Sequence, residues 1–105
     1  MISQAMIFSA GLGKRMLPLT ENTPKPLIKI NNKSLLKNNI EKLIESKFRN
    51  IVVNAYHHSE KIINETKMFE SVKVIVEAER LETGGGLLNA INEKCFRENT
   101  PIVLL

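Results

Sequence analysis

Ala5-Met-Ile-Phe-Ser-Ala-Gly-Leu-Gly-Lys-Arg-Met-Leu-Pro-Leu-Thr-Glu-Asn-Thr-Pro-Lys-Pro-Leu27 is the stretch from which the rest of this 105-residue sequence is read. It opens with the apolar run Ala5 to Phe8, the pattern of a buried strand. It then breaks at Gly11-Leu12-Gly13, followed at once by Lys14 and Arg15. Glycine lets the backbone turn sharply and approach a ligand closely, because it has no Cβ. Successive N–H groups in such a turn form an anion-binding concavity, and an arginine beside it can grip phosphate oxygens in a bidentate way. A further cation, Lys25, sits between Pro24 and Pro26, which are expected to hold the chain extended around it. The stretch therefore reads as a polyphosphate cradle at the carboxyl end of a first strand.

Two familiar phosphate loops do not fit. A dinucleotide fingerprint requires Gly or Ala where Met16 stands, and the P-loop requires four residues between its glycines and Ser or Thr after the lysine. The turn by itself is equally compatible with a strand-ending loop carrying solvated cations. The full stretch, however, resembles the signature of the sugar-1-phosphate nucleotidyltransferases. In that family an apolar strand leads into Ala-Gly-x-Gly-x-Arg-(Met/Leu)-x-Pro-Leu-Thr, followed by Pro-Lys-Pro-Leu. Ala10, Gly11, Gly13, Arg15, Met16, Pro18, Leu19, Thr20 and Pro24 to Leu27 all fall in register with it. A second block, Leu81-Glu82-Thr83-Gly84-Gly85-Gly86, is similar to the family's base-recognition loop, in the form found in uridylyl- and guanylyltransferases acting on N-acetylmuramate 1-phosphate and mannose 1-phosphate.

The resemblance implies transfer of a nucleoside monophosphate from UTP or GTP to a sugar-1-phosphate, with release of pyrophosphate. It implies that Arg15 holds the β- and γ-phosphates, assisted by Lys14 and by the backbone of Ala10, Gly11, Leu12 and Gly13. Lys25 is then expected near the reacting centre, and Glu82, Thr83 and Gly84 around the base, with Glu77 as a secondary candidate. It also implies Mg2+, held in part by an Asp directly after the fourth strand. The sequence given ends on that strand at Leu105, and no residue in it stands in for the Asp. The expectation is therefore that residues 1–105 form the amino-terminal nucleotide-binding half of a nucleotidyltransferase domain, with a complementing fragment as a partner. A nucleotide-binding module without chemistry and a degenerate remnant are the alternatives.

Composition agrees with a single domain of ordinary globular character, 43% hydrophobic and 25% charged. No apolar run approaches the roughly 18 residues of a membrane span, and the amino terminus lacks the basic and apolar regions of a secretory signal, so a cytoplasmic location is expected. The net charge of +4 is spread along the chain rather than clustered, and no basic–aromatic alternation suggests nucleic acid. The single cysteine, Cys95, forms no internal disulfide and is expected as a small buried residue on an apolar helix face.

Along the chain, strands are expected over 4–8, 50–55, 72–77 and 101–105. Helices are expected over about 34–47, 59–66 and 84–95, capped by Ser34 and Ser59 at the first two. Asn31-Asn32 reads as a turn. Tyr56, His57 and His58 follow the second strand and read as surface residues opening the next helix. The glycines at 84–86 suit a backbone that something approaches closely. This β–α–β–α–β–α–β order predicts an α/β, Rossmann-like parallel sheet with flanking helices, of the nucleotide-diphospho-sugar transferase type. In the 3-2-1-4 strand order of a doubly wound half, Ile102 to Leu105 becomes an apolar edge, and a marginal or aggregation-prone monomer is expected.

Overall fold

The apolar runs of the first and second predicted strands lie side by side at the centre of a four-stranded parallel sheet. The structure, a computed structural model, describes residues 4–9, 25–56, 58–79, 83–98 and 100–105. β1 (Gln4–Phe8) and β4 (Asn50–Ala55) pair from Gln4↔Asn50 to Phe8↔Asn54. β5 (Val72–Val76) adds to the far side of β4, and β6 (Ile102–Leu104) to the free side of β1. The order β5-β4-β1-β6 is the doubly wound 3-2-1-4 arrangement. Within the described residues β6 is an edge, and its Leu104 is about half exposed, as is Leu105 after it.

The inner strands read as unbroken apolar runs because both of their faces are covered. One face carries Ala5, Ile7, Ile51, Val53 and Ala55 against Leu36, Ile40 and Leu43 of α1 (Leu35–Glu45) and Ile62 of α2 (Ser59–Thr66). The other carries Met6 and Val52 against Ala90 of α3 (Thr83–Asn92), with Phe8, Ile75 and Leu87 packed around them. The Lys37–Glu65 ion pair, at 3.4 Å, ties α1 to α2.

Ser34 caps α1 as expected, its hydroxyl accepting from the Lys37 N–H at 3.0 Å. Other boundaries differ from the sequence reading, each for a local reason. Lys25–Leu27 forms one turn of 3-10 helix rather than an extended piece; Pro26 fixes its own φ at a value that such a turn shares. Residues 29–34 form a small antiparallel hairpin, β2 (Lys29–Ile30) and β3 (Lys33–Ser34), around the predicted Asn31-Asn32 turn. Both asparagines have positive φ, 55° and 66°, as a two-residue turn matched to strand twist requires. Ser59 is the first residue of α2 rather than its cap; His58, at φ 53°, holds the capping position without a side-chain cap bond. α3 ends at Asn92, so Cys95 lies beyond it and not on its apolar face.

The last difference has a clear cause. Lys94 adopts φ 59° and its N–H donates to the Ile91 carbonyl, while the Cys95 N–H donates to the Ala90 carbonyl. This is a Schellman ending, in which the residue after the left-handed one packs back on the helix. Cys95 does so, half-buried among the residues around Met6 and Ala90. Burial is the main cause that raises its thiol pKa; Lys73 opposes it and Glu93 reinforces it. The thiol therefore stays protonated near neutral pH, which suits a packing group rather than a nucleophile. α1 ends in the same way at Lys47, φ 71°.

Candidate functional site

In open α/β sheets ligands lie outside the carboxyl ends of the strands, where the strand order reverses. Here that place is the end of β1, between the strands leading to β5 on one side and β6 on the other. Three buried polar residues meet there, one from each of three adjacent strand ends: Ser9 after β1, Asn54 near the end of β4 and Glu77 after β5. Their exposures are 2%, 3% and 4%.

Asn54 links the other two. Its Oδ1 accepts from the Ser9 N–H at 2.7 Å, and its Nδ2 donates to Glu77 Oε2 at 3.2 Å. The Ser9 hydroxyl donates to the Asn54 backbone carbonyl, and the Glu77 N–H donates to the Ala55 carbonyl at 2.8 Å. The first turn of α3 closes over this row at Gly86. A Cβ there would stand 2.9 Å from Asn54 Nδ2, closer than Cβ atoms come, and a tight 3.2 Å from Glu77 Oε2. A larger residue at 86 would therefore displace the polar row beneath it.

Of the residues singled out from sequence, Glu77 lies in this row. Gly84 lies exposed in the first turn of α3, with nothing within 4 Å of where a Cβ would be. Thr83 opens α3 and Lys25 opens the 3-10 turn, so their backbones are placed. Ala10, Gly11, Leu12, Gly13, Lys14, Arg15 and Glu82 lie outside the described residues, as does His57. Tyr56 is exposed at the end of β4. His58 stands 3.8 Å from Glu60, within α2's own first turn. Ser9 and Asn54 were not singled out; Gly86 was, as the last of the three glycines at 84–86. The available signal was Asn54 itself, a polar residue inside an otherwise apolar central strand, and buried polar groups in such places have partners.

The charge around the row is not uniform. A cavity of about 670 Å³ between β5 and α3 is lined by Glu77, Glu79 and Glu93 together with Val76 and Asn89. Three carboxylates repel a polyphosphate but accept hydrogen bonds from a neutral donor such as a nucleobase N–H. Among the described residues no group of three or more His, Cys, Asp or Glu side chains gathers closely enough to hold a metal ion. Mg2+ is commonly held by one or two carboxylates together with substrate phosphates, and the described residues assign it no ligand set. Among them, too, no helix is long and apolar enough to cross a membrane.

Comparison with known proteins gives a consistent result. Residues 4–105 match the profile described as nucleotidyl transferase. N-acetylmuramate alpha-1-phosphate uridylyltransferase of Caulobacter vibrioides is 32% identical over 94 residues, covering 83% of this chain and 39% of that protein. The bifunctional protein GlmU of Methanococcus vannielii is 41% identical over 88 residues, covering 84% of this chain and 21% of that protein. The chain thus spans well under half the length of these relatives. Among solved structures, HddC from Yersinia pseudotuberculosis complexed with GMP-PN superposes with a TM-score of 0.81 at 24% identity, over 98% of this chain and 47% of that one, a likeness of fold.

Proposed function

The chain belongs to the nucleotidyl transferase family, and from that premise we propose that it binds a nucleoside triphosphate, UTP or GTP, at the carboxyl end of its sheet. It does so as the amino-terminal, nucleotide-binding half of a domain that transfers the nucleoside monophosphate to a sugar-1-phosphate. The observation that carries this reading is the placement of Ser9. It stands at the topological switch point, bonded to Asn54, and it is the residue from which the Gly11-Leu12-Gly13-Lys14-Arg15 segment departs.

In the proposed reaction a phosphate oxygen of the sugar-1-phosphate attacks the α-phosphorus. The bond from that phosphorus to the bridging oxygen breaks, and pyrophosphate leaves with the electron pair. Negative charge builds on the leaving group, so cations fixed beside it lower the barrier. Arg15 and Lys14, with the backbone N–H groups of residues 10–13, are assigned that work, and Lys25 the side nearer the α-phosphate. Glu77, Glu82, Thr83 and Gly84 are assigned to the base, Glu77 from the carboxylate-lined cavity where a triphosphate is disfavoured. Mg2+, which the family resemblance calls for, would screen the phosphates when bound.

A second reading uses the same residues for recognition alone. It is nucleotide binding without turnover. Calorimetric titration of the purified chain with UTP and with GTP, in magnesium and in EDTA, tests both. Binding that Arg15→Ala weakens by about tenfold, the size expected for a charge-assisted phosphate contact, supports the proposal. Failure to bind either nucleotide overturns it. Pyrophosphate release on adding a sugar-1-phosphate separates the enzyme from the binding module.

A further inference from the structure

We propose that Asn54 is a positioning residue that fixes the base side of the nucleotide site relative to its phosphate side; this rests on the nucleotide-binding reading above. Val52, Val53 and Ala55 around it are fully buried and apolar, so a leucine or valine at 54 would satisfy the strand. The carboxamide that stands there instead touches both halves of the candidate site. Its oxygen holds the Ser9 N–H at 2.7 Å, at the root of the segment carrying Lys14 and Arg15, and its nitrogen holds the Glu77 carboxylate at 3.2 Å. Ser9 and Glu77 flank β4 from opposite sides, on the ends of β1 and β5, and Asn54 bonds to both.

The amide has no freedom to give way. Its two ends are bonded to groups of opposite kind, a donor and an acceptor, so rotating it by half a turn would set N–H against N–H and oxygen against carboxylate. The first turn of α3 packs over it at Gly86, where a Cβ would be 2.9 Å from Nδ2. A displacement of Glu77 is therefore transmitted to Ser9 through one rigid plane. The Glu77 N–H also bonds to the Ala55 carbonyl and the Ser9 hydroxyl to the Asn54 carbonyl, and the Asn54 amide adds the side-chain link between the Glu77 carboxylate and the Ser9 N–H.

The test is an exchange of hydrogen-bonding character. Asn54→Asp keeps the acceptor for the Ser9 N–H but turns a carboxylate toward Glu77. Glu77→Gln in the same chain restores a donor–acceptor pair with its direction reversed. UTP and GTP affinities are measured by calorimetry on samples shown to be folded by circular dichroism, together with amide hydrogen exchange at Ser9. Asn54→Asp is expected to lower affinity by about tenfold and to accelerate Ser9 exchange, and the double variant to bring Ser9 exchange back to within about threefold of the native chain, as for two groups of one network. Ser9 exchange is expected to accelerate in Glu77→Ala, although Glu77 is not bonded to that amide. A folded Asn54→Asp chain that binds as the native one does overturns the proposal. If the native chain binds neither nucleotide, the functional reading fails, and the link is judged by Ser9 exchange alone. Unchanged protection in Glu77→Ala then overturns it and lost protection supports it; the same criterion applies if Asn54→Asp does not fold.

Discussion

Two buried carboxamides sit at opposite ends of the two central strands, and they are used differently. At the amino end Gln4, fully buried, accepts from the Arg97 N–H at 2.5 Å and from Asn50 Nδ2 at 3.1 Å, and donates to the Arg97 and Thr100 carbonyls at 3.3 and 3.4 Å. Asn50 in turn donates to the Cys95 carbonyl at 2.8 Å. Apart from Asn50, every partner is backbone, and all belong to the connection from α3 into β6 or to the neighbouring strand. At the carboxyl end Asn54 holds a carboxylate and the residue that precedes the segment carrying Lys14 and Arg15. A buried amide whose partners are neutral and fixed works as a staple. One whose partners are a charge and the start of a cation-bearing segment lies where a ligand can use it. Polarity inside the core is therefore informative only once its partners are known.

The largest expected effect comes from breaking the staple. Gln4→Leu removes the side-chain partner that the Arg97 N–H, the Arg97 and Thr100 carbonyls and the Asn50 amide share in the native chain. A loss of about 3 kcal/mol is expected in urea unfolding, since a single buried unsatisfied group costs about 1–3 kcal/mol. That is a large fraction of the stability of a domain this size. Nucleotide affinity of the folded fraction should stay as in the native chain. A fall in affinity would show that the two ends are not separate devices.

Gly86→Ala strikes the other end. The new Cβ meets Asn54 Nδ2 at 2.9 Å and Glu77 Oε2 at 3.2 Å, so α3 or the polar row must move. A loss of about 2 kcal/mol is expected, in the range for overpacking a filled site, and here nucleotide affinity should fall with it. Gly84→Ala is the control, since open space surrounds that position. If the two alanines behave alike, the close packing over Asn54 is not a constraint.

The same three glycines show how far the sequence could be read. Their run predicts a backbone approached closely, and at Gly86 it is, but by Asn54 and Glu77 of this chain, whereas Gly84 is open. A sequence names the requirement and not the neighbour that imposes it. β1 and β4 were legible to the residue because β-branched and apolar runs flanked by polar residues leave one assignment, and the parallel sheet followed from the alternation of strands and helices. The Lys25 turn, the hairpin around Asn31-Asn32 and the end of α3 were not, because each is decided by backbone conformations of a few residues that no periodicity marks. Glu77 entered as a secondary candidate through the family resemblance; its link to Ser9 was not legible, since 68 positions separate them in the chain and only the sheet and the Asn54 side chain bring them together.

The smallest expected effect concerns the helix ends that feed the staple. α1 and α3 each close on a lysine in the left-handed region, Lys47 at φ 71° and Lys94 at φ 59°. That conformation disfavours a residue with a Cβ by about 1 kcal/mol, so Lys47→Gly and Lys94→Gly should each stabilise the chain by roughly that amount. The two sites are not equivalent. Phe48 after Lys47 packs on the core beside α1, whereas Cys95 after Lys94 supplies the carbonyl that Asn50 holds within the Gln4 network. Combining each glycine with Gln4→Leu separates them. The Lys47→Gly gain should add unchanged to the Gln4→Leu loss, as for distant sites, while the Lys94→Gly gain should shrink, because the turn it rigidifies is no longer anchored. Equal gains in both backgrounds would mean that the amino-end network holds β6 alone and leaves the end of α3 to its own Schellman bonds.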